Sequence, residues 1–418
     1  MHISLQLTLL FALSSLAILP NPRVTAIQEG EEEGMDLSEL RKTVEEVEVV
    51  DGHSHNIVAL DSNSISNGFA QAFTVGAFGD PDAIAFAQTS LSFKRGLRDV
   101  AELYGTEVSL EGVEEYRRVS GLEAITSTCF KAAKVSAILI DDGIEMDKKN
   151  EIEWHKTFAP FVGRILRTER VAEQILEQLK KDQCLAGFLS ITVTVAKEIY
   201  ALKSIVAYYG GLEINLNVTK TDAEESLRQV LINGEFELWN LVDYLFLQSL
   251  EFALSYDLPM QIHTGFGDRL LDLRKSNPLH FRSVLEDKRY AKCRFVFLHA
   301  SHPFSKDASY LASIYSQVYL DFGLAIPKLS TPGMISALKD LLNLAPLKKV
   351  MFSSDGHTFP ESFYIGAKNS REVVFSVLRD ACIDGDLLIP EAVEAAKDLF
   401  ARNSIRFYKI SSANITAP

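Results

Sequence analysis

Eight short apolar runs, rich in β-branched and aromatic residues, recur along the chain with longer helical patterns between them. They are "VEVVD" (47–51), "VSAILI" (135–140), "FVGRILR" (161–167), "ALKSIVAY" (201–208), "PMQIH" (259–263), "RFVFLH" (294–299), "VYLDF" (318–322) and "KVMFSS" (349–354). Runs this short and this continuously apolar fit strands buried on both faces. Strands alternating with helices predict a parallel sheet. Eight such units predict an α/β fold, a (β/α)₈ TIM-type barrel spanning residues 47–410.

The intervening segments carry helix signals. "TDAE" at 221–224 reads as a capping box, with Thr221 as the cap and Glu224 bonding back. Leu238, Leu241, Val242, Leu245 and Leu250 recur at helical spacing across 234–256. Pro390 suits the first turn of a last helix, "PEAVEAAKDLFARN". Asp80-Pro81 opens a helix inside the long segment 60–130, which predicts a helical insertion between strands 1 and 2, capping the barrel mouth.

The N-terminus breaks this rhythm. Residues 3–19 form an apolar stretch interrupted by Gln and Ser, and "VTA" at 24–26 offers small residues for cleavage. Residues 1–26 therefore read as a signal peptide lacking a basic start, too short and too polar for a permanent membrane span. Residues 27–46 read as an acidic leader, "EGEEEG", and a first helix; residues 411–418 read as a tail. The expected location is the secretory pathway if the leader is cleaved, and the cytoplasm if translation starts near Met35.

Charge narrows the partners. The net charge of −14 and the lack of a Lys/Arg cluster argue against a nucleic-acid partner. The expected partner is a small-molecule substrate, and a homo-oligomer is compatible with the composition. The four cysteines, Cys129, Cys184, Cys293 and Cys382, are widely spaced in apolar contexts and read as buried free thiols.

Active sites of such barrels lie at the C-terminal ends of the strands. The first run is followed by His53 and His55, whose i, i+2 spacing turns both rings the same way on extended chain. The fifth ends at His263, the sixth at His299 and the eighth at Asp355. Imidazoles and a carboxylate converging on one mouth suit zinc or a similar divalent ion, with a position open for water. His53, His55, His263 and Asp355 are the candidate metal ligands. His299 and Asp355 are the candidate catalytic groups, His299 binding metal or polarising substrate. Lys203 is a candidate substrate cation or modified bridging ligand. Asp268 is a candidate substrate contact or orienting partner of a ligand imidazole. Asn277, beside His280, reads as a helix cap, His302 and His357 as neighbours of the site, and His155 as a surface residue. No Walker-type phosphate loop, G-x-G-x-x-G or G-x-S-x-G motif offers a competing chemistry.

The pattern H-x-H, His, His, Asp on strands one, five, six and eight resembles the amidohydrolase superfamily, in its amidohydrolase-related branch. "LKSIVAY", "HTGFGD", "SNPLHFR", "FVFLHAS", "VYLDFGLAIPKLS" and "VMFSSDG" further resemble the N-terminal half of the plant fluG-type (nodulin/glutamine-synthetase-like) proteins, over about residues 35–410. The chain stops at Pro418 without a glutamine synthetase half, so no ammonia-ligase activity is expected. Tyr209 stands where the resemblance places an arginine, and His302 and His357 stand where it places tyrosines. The resemblance implies a metal-dependent hydrolase of an amide-type C–N bond, with one zinc ion favoured over two and manganese or iron as alternatives. Two further readings are a decarboxylase on the same ligand set and a non-catalytic scaffold barrel.

Overall fold

The computed structural model describes residues 35–63, 68–74, 80–174, 199–233 and 239–411. The expected signal peptide, the acidic run, Cys184 and nearly all of the tail lie outside the described residues.

All eight apolar runs become strands of one parallel sheet, in sequential order. They are β1 (Val49–His55), β2 (Val135–Asp141), β3 (Phe161–Arg167), β4 (Ile199–Ser204), β5 (Met260–Ile262), β6 (Phe295–Phe297), β7 (Val318–Asp321) and β8 (Val350–Met351). The ladder runs from β1 to β8. It closes across the last seam by single bonds: Gly52 N–H to Phe352 O (3.3 Å), Asp355 N–H to His53 O (3.0 Å) and His55 N–H to Gly356 O (2.7 Å). The two strand ends carrying His53, His55 and Asp355 are therefore stitched together by their own backbone.

The strands are buried on both faces. Along β2, Ile138 and Ile140 pack outward against helices, while Ala137 and Leu139 pack with Val50, Ile165, Ala201 and Val296 on the other face. Each such buried aliphatic contributes about 1.5–3 kcal/mol relative to exposure. Because the period-2 alternation finds apolar surroundings on either side, no polar stripe appears in the sequence.

Among the described residues between β1 and β2 lie four α-helices, α2 (Pro81–Ala87), α3 (Leu91–Tyr104), α4 (Leu110–Ser120) and α5 (Leu122–Ala133), preceded by α1 (Ser38–Glu46) ahead of β1. Asp80 Oδ1 accepts from the N–H groups of Asp82 (3.0 Å) and Ala83 (3.2 Å) to start α2, and Ser90 and Ser109 cap α3 and α4. Phe69, Phe73, Phe93, Ile125 and Phe130 pack there with the outer face of β2 and with Phe363.

Further along the chain come α6 (Lys220–Asn233), α7 (Trp239–Tyr256), α8 (Pro360–Ile383) and α9 (Ile389–Lys397). The helix predicted over 234–256 is α7, and Pro390 does sit in the first turn of α9. The cap of α6 differs from the expected Thr221–Glu224 box. Thr219 Oγ1 accepts from Asp222 N–H (3.2 Å) and Asp222 Oδ2 accepts from Thr219 N–H (2.9 Å), two residues earlier. The shorter Asp side chain closes the same reciprocal box two residues sooner and leaves Thr221 inside the helix.

His155 is also corrected. It is fully buried, its Nε2 accepting from Ile57 N–H (3.1 Å) and its Nδ1–H donating to Glu151 O (2.9 Å). It braces the chain just after the β1 histidines instead of facing solvent. Cys129, Cys293 and Cys382 are buried free thiols. No helix among the described residues is long and apolar enough to cross a membrane.

Candidate metal centre

At the C-terminal mouth, His53 and His55 do point the same way. Each Nε2 lies 3.3 Å from the same Asp355 oxygen, Oδ1. Their other ring nitrogens are committed. His53 Nδ1 bonds to Gln261 Oε1 (2.8 Å), and Gln261 spends its amide N–H groups on Gly52 O (2.7 Å) and the Tyr408 hydroxyl (2.8 Å). His55 Nδ1 bonds to the carbonyl O of Asp141 (2.8 Å). Both partners accept only, so both protons sit on Nδ1 and both Nε2 lone pairs face the cavity.

Those lone pairs meet an ionised carboxylate. Burial, then the nearby Lys203 charge, pushes His53 down to about 4, so its ring is neutral near neutral pH. Two lone pairs and an acceptor-only oxygen aimed at one another within 3.3 Å have no proton to share. A cation resolves that arrangement, and imidazole plus carboxylate is the donor set of a divalent transition metal.

His299 and His263 complete the wall. Their rings lie 4.5 Å apart, with His299 Nε2 and His263 Nδ1 at 3.1 Å. His263 turns Nε2–H to Phe266 O (3.1 Å), so its Nδ1 accepts from His299, and buried His299 Nδ1 has no hydrogen-bond partner among the described residues. Among the described residues, side-chain ligand atoms group tightly in two sets, His53–His299–Asp355 and His53–His55–Asp141. His263 reaches the first set through His299.

The backbone is unusual here. Asp355 (φ 51°) and the consecutive residues His299, Ala300 and Ser301 (φ 66°, 53° and 48°) all take left-handed conformations. These cost conformational energy in L-residues and concentrate where function demands an aimed side chain. Gly265 (φ +72°) follows β5, and a Cβ there would collide with the backbone of Ser301 and His302. Only glycine lets the loops bearing His263 and His299 approach this closely.

Lys203 is buried on β4, its Nζ 3.5 Å from His53 Nε2, and burial lowers its pKa to about 8. Asp268 lines the cavity, but its carboxylate accepts from Leu270 N–H (2.8 Å), and none of its described bonds reaches an imidazole. Asn277 caps a short helix through Leu279 N–H (2.9 Å), away from the cavity lining. His357 lines the cavity with Nδ1–H on Asp355 O (3.0 Å). Tyr209 lines it too, donating to Glu173 (3.0 Å).

Sequence reasoning missed the acids and the guanidinium that end the other strands. Asp141 closes β2 and takes two bonds from Arg167 at the end of β3, at 2.6 and 3.0 Å. Asp51 accepts from Ser354 N–H (2.9 Å), and Asp321, closing β7, accepts from His299 N–H (2.7 Å). Burial pushes both Asp51 and Asp321 up to about 7. Asp141, Arg167 and Asp321 are the last residues of their strands, so the rule that found the histidines would have found them.

The amidohydrolase family model matches residues 152–410. The chain belongs to the amidohydrolase family. This amidohydrolase is 28% identical over 415 residues to the fluG protein of Emericella nidulans, covering 90% of this chain and 47% of that one. It thus spans about half the length of that curated relative. Among solved structures, it is similar to a candidate metal-dependent hydrolase of Lactobacillus casei (22% identical, TM-score 0.76, 91% and 99% of the two chains). It is also similar to the uronate isomerase of Thermotoga maritima (14% identical, TM-score 0.65, 89% and 97%). At these identities the structural likeness speaks for the barrel. Family membership and the His/Asp cluster together make the amidohydrolase a metal-dependent enzyme.

Proposed function

We propose that this amidohydrolase hydrolyses an amide-type C–N bond of a small molecule with water activated at one divalent ion, zinc by preference. The observation that carries this reading is the convergence of the His53 and His55 Nε2 lone pairs on Asp355 Oδ1. His53, His55 and Asp355 supply three ligand atoms, and the paired rings of His263 and His299 supply the fourth. A bound divalent ion would lower the pKa of its water and attract negative charge on a neighbouring oxygen.

The protein's own groups do the rest. The Asp355 carboxylate takes the proton of the attacking water and delivers it to the leaving nitrogen. The buried Lys203 ammonium, 3.5 Å from His53 Nε2, faces the developing oxyanion together with His299. Gln261 and the Asp141 carbonyl hold the β1 rings in the tautomer that offers Nε2.

Elemental analysis and release of amine or ammonia from an amide panel test the reading. We expect close to one equivalent of metal and turnover that an Asp355→Asn variant loses while keeping its fold. Less than about half an equivalent of metal, not restored by added zinc or manganese, would count against the site. Carbon dioxide release in place of amine would turn the reading to decarboxylation.

A further inference from the structure

The cavity over the metal centre has a volume of about 330 Å³, and a side pocket of about 30 Å³ adjoins it. Leu324, Asp355 and His357 line both spaces, so the pocket opens beside the candidate metal ligand of β8. Lys328 borders both as well and is engaged within the protein. The pocket wall includes five apolar side chains, Phe69, Phe73, Leu324, Pro327 and Ile365. The wall hydroxyls of Ser354 and Ser362 are already donated, to the Asp51 carboxylate and to the Phe359 carbonyl.

Separate elements build this pocket. Phe69 and Phe73, edge to face with centroids 5.2 Å apart, come from the segment between β1 and β2. Ile365 comes from α8, and Leu324 and Pro327 follow β7. Gly96 of α3 gives Phe73 its seat: a Cβ there would lie 2.5 Å from the Phe73 ring and 3.3 Å from Ile365 Cδ1. Leu324 is held at φ 55° and ψ −51°, a costly conformation for a bulky L-residue. Such strain persists where the surrounding structure fixes one side chain in one place. Here that place is the boundary between the two spaces.

One water takes up about 10–15 Å³ of such space, so the pocket suits one or two carbon atoms. A group without hydrogen bonds to satisfy fits this wall better than a polar one. In amide hydrolysis the amine departs while the acid stays at the ion. The wide cavity therefore suits the leaving side, and the small pocket suits the acyl side.

We propose that the side pocket is an acyl subsite, that the substrate carries a methyl- to ethyl-sized aliphatic group beside its scissile carbonyl, and that Leu324 is the specificity-determining residue bounding it. This rests on the metal-dependent hydrolase reading and deepens it.

Calorimetric titration of the zinc-loaded protein with formo-, aceto-, propiono- and hexanohydroxamate tests the proposal, because the zinc-binding group is constant and only the acyl chain changes. We expect affinity to rise about fourfold for each CH₂ as far as propionohydroxamate and then to level off. Leu324→Ala removes the boundary and should let the rise run on to hexanohydroxamate. Ile365→Phe fills the pocket and should flatten the series; if that variant fails to fold, Leu324→Ala decides alone. A flat series in the parent, an unbroken rise to hexanohydroxamate in the parent, or the parent's series in Leu324→Ala would overturn the proposal. Zinc affinity is measured separately by chelator competition. Should zinc fail to bind, the metal reading falls by itself. Xenon pressurised into crystals of the metal-free protein then reads the pocket: a xenon atom between Phe73 and Ile365 supports an open apolar subsite, and its absence there overturns it.

Discussion

The Arg117 guanidinium lies 2.9 Å from the Glu361 carboxylate, with both side chains shielded from solvent. Glu361 stands in the first turn of α8, six residues beyond Asp355, and Arg117 is on α4. Tyr104 of α3 donates to the same carboxylate (2.8 Å), and Glu114 holds Arg117 from its other side (2.8 Å). The helices between β1 and β2 are thus pinned to the segment that carries the candidate metal ligand of β8. Arg117→Met should destabilise the fold by about 3–5 kcal/mol, because it strands a buried carboxylate. The double variant Arg117→Met/Glu361→Gln should recover part of that loss. Urea midpoints read both, and a single-variant loss under about 1 kcal/mol would contradict the account.

Gln261 fixes the tautomer of His53 without approaching the cavity. Gln261→Leu should weaken zinc binding about 10- to 100-fold, the usual effect of losing the hydrogen bond that orients a ligand imidazole. Competition against a chromophoric chelator measures it, and an affinity within about twofold of the parent would remove Gln261 from that role.

His155 sets an acid limit on stability. Burial lowers its folded-state pKa to about 4, against an ordinary value of 6.5. The folded state therefore favours the neutral ring: its stabilising contribution is complete above pH 6.5 and is lost as pH falls towards 4. The full loss is on the order of 3 kcal/mol. His155→Gln, which keeps an acceptor for Ile57 N–H, should flatten the fall in urea midpoint between pH 6.5 and 4. Parallel curves for the two proteins would assign the acid sensitivity to other groups.

Gly265 separates two loops that carry site histidines. Gly265→Ala places a methyl group against backbone in a left-handed conformation, at a cost of about 2 kcal/mol or more. It should also weaken zinc binding, since His263 and His299 are displaced together. Unaltered thermal stability with unaltered zinc affinity would show that the loops move apart freely.

How far the sequence could be read depended on where the signal lay. β5, β6 and β8 have only three, three and two ladder residues, yet their apolar runs marked them, because both of their faces are buried. His155 was misread because its helix, Ile152–His155, is a single turn flanked by charged residues. What buries it is the Ile57 amide 98 residues earlier, which no local pattern reports. The capping box moved because two threonines compete two residues apart, and the closing Asp222 contact decides between them.

The sequence by itself determined the strand count, the parallel barrel and the presence of His53, His55, His263, His299 and Asp355 at strand ends, because burial period and residue type are local properties. Only the tertiary structure decided that Gln261 and the Asp141 carbonyl orient the first two rings, that His263 reaches the cluster through His299, and that Lys328 joins the cavity wall. Those facts depend on which strands become neighbours when the sheet closes, and closure brings together side chains up to about 300 residues apart, as with Asp51 and Ser354.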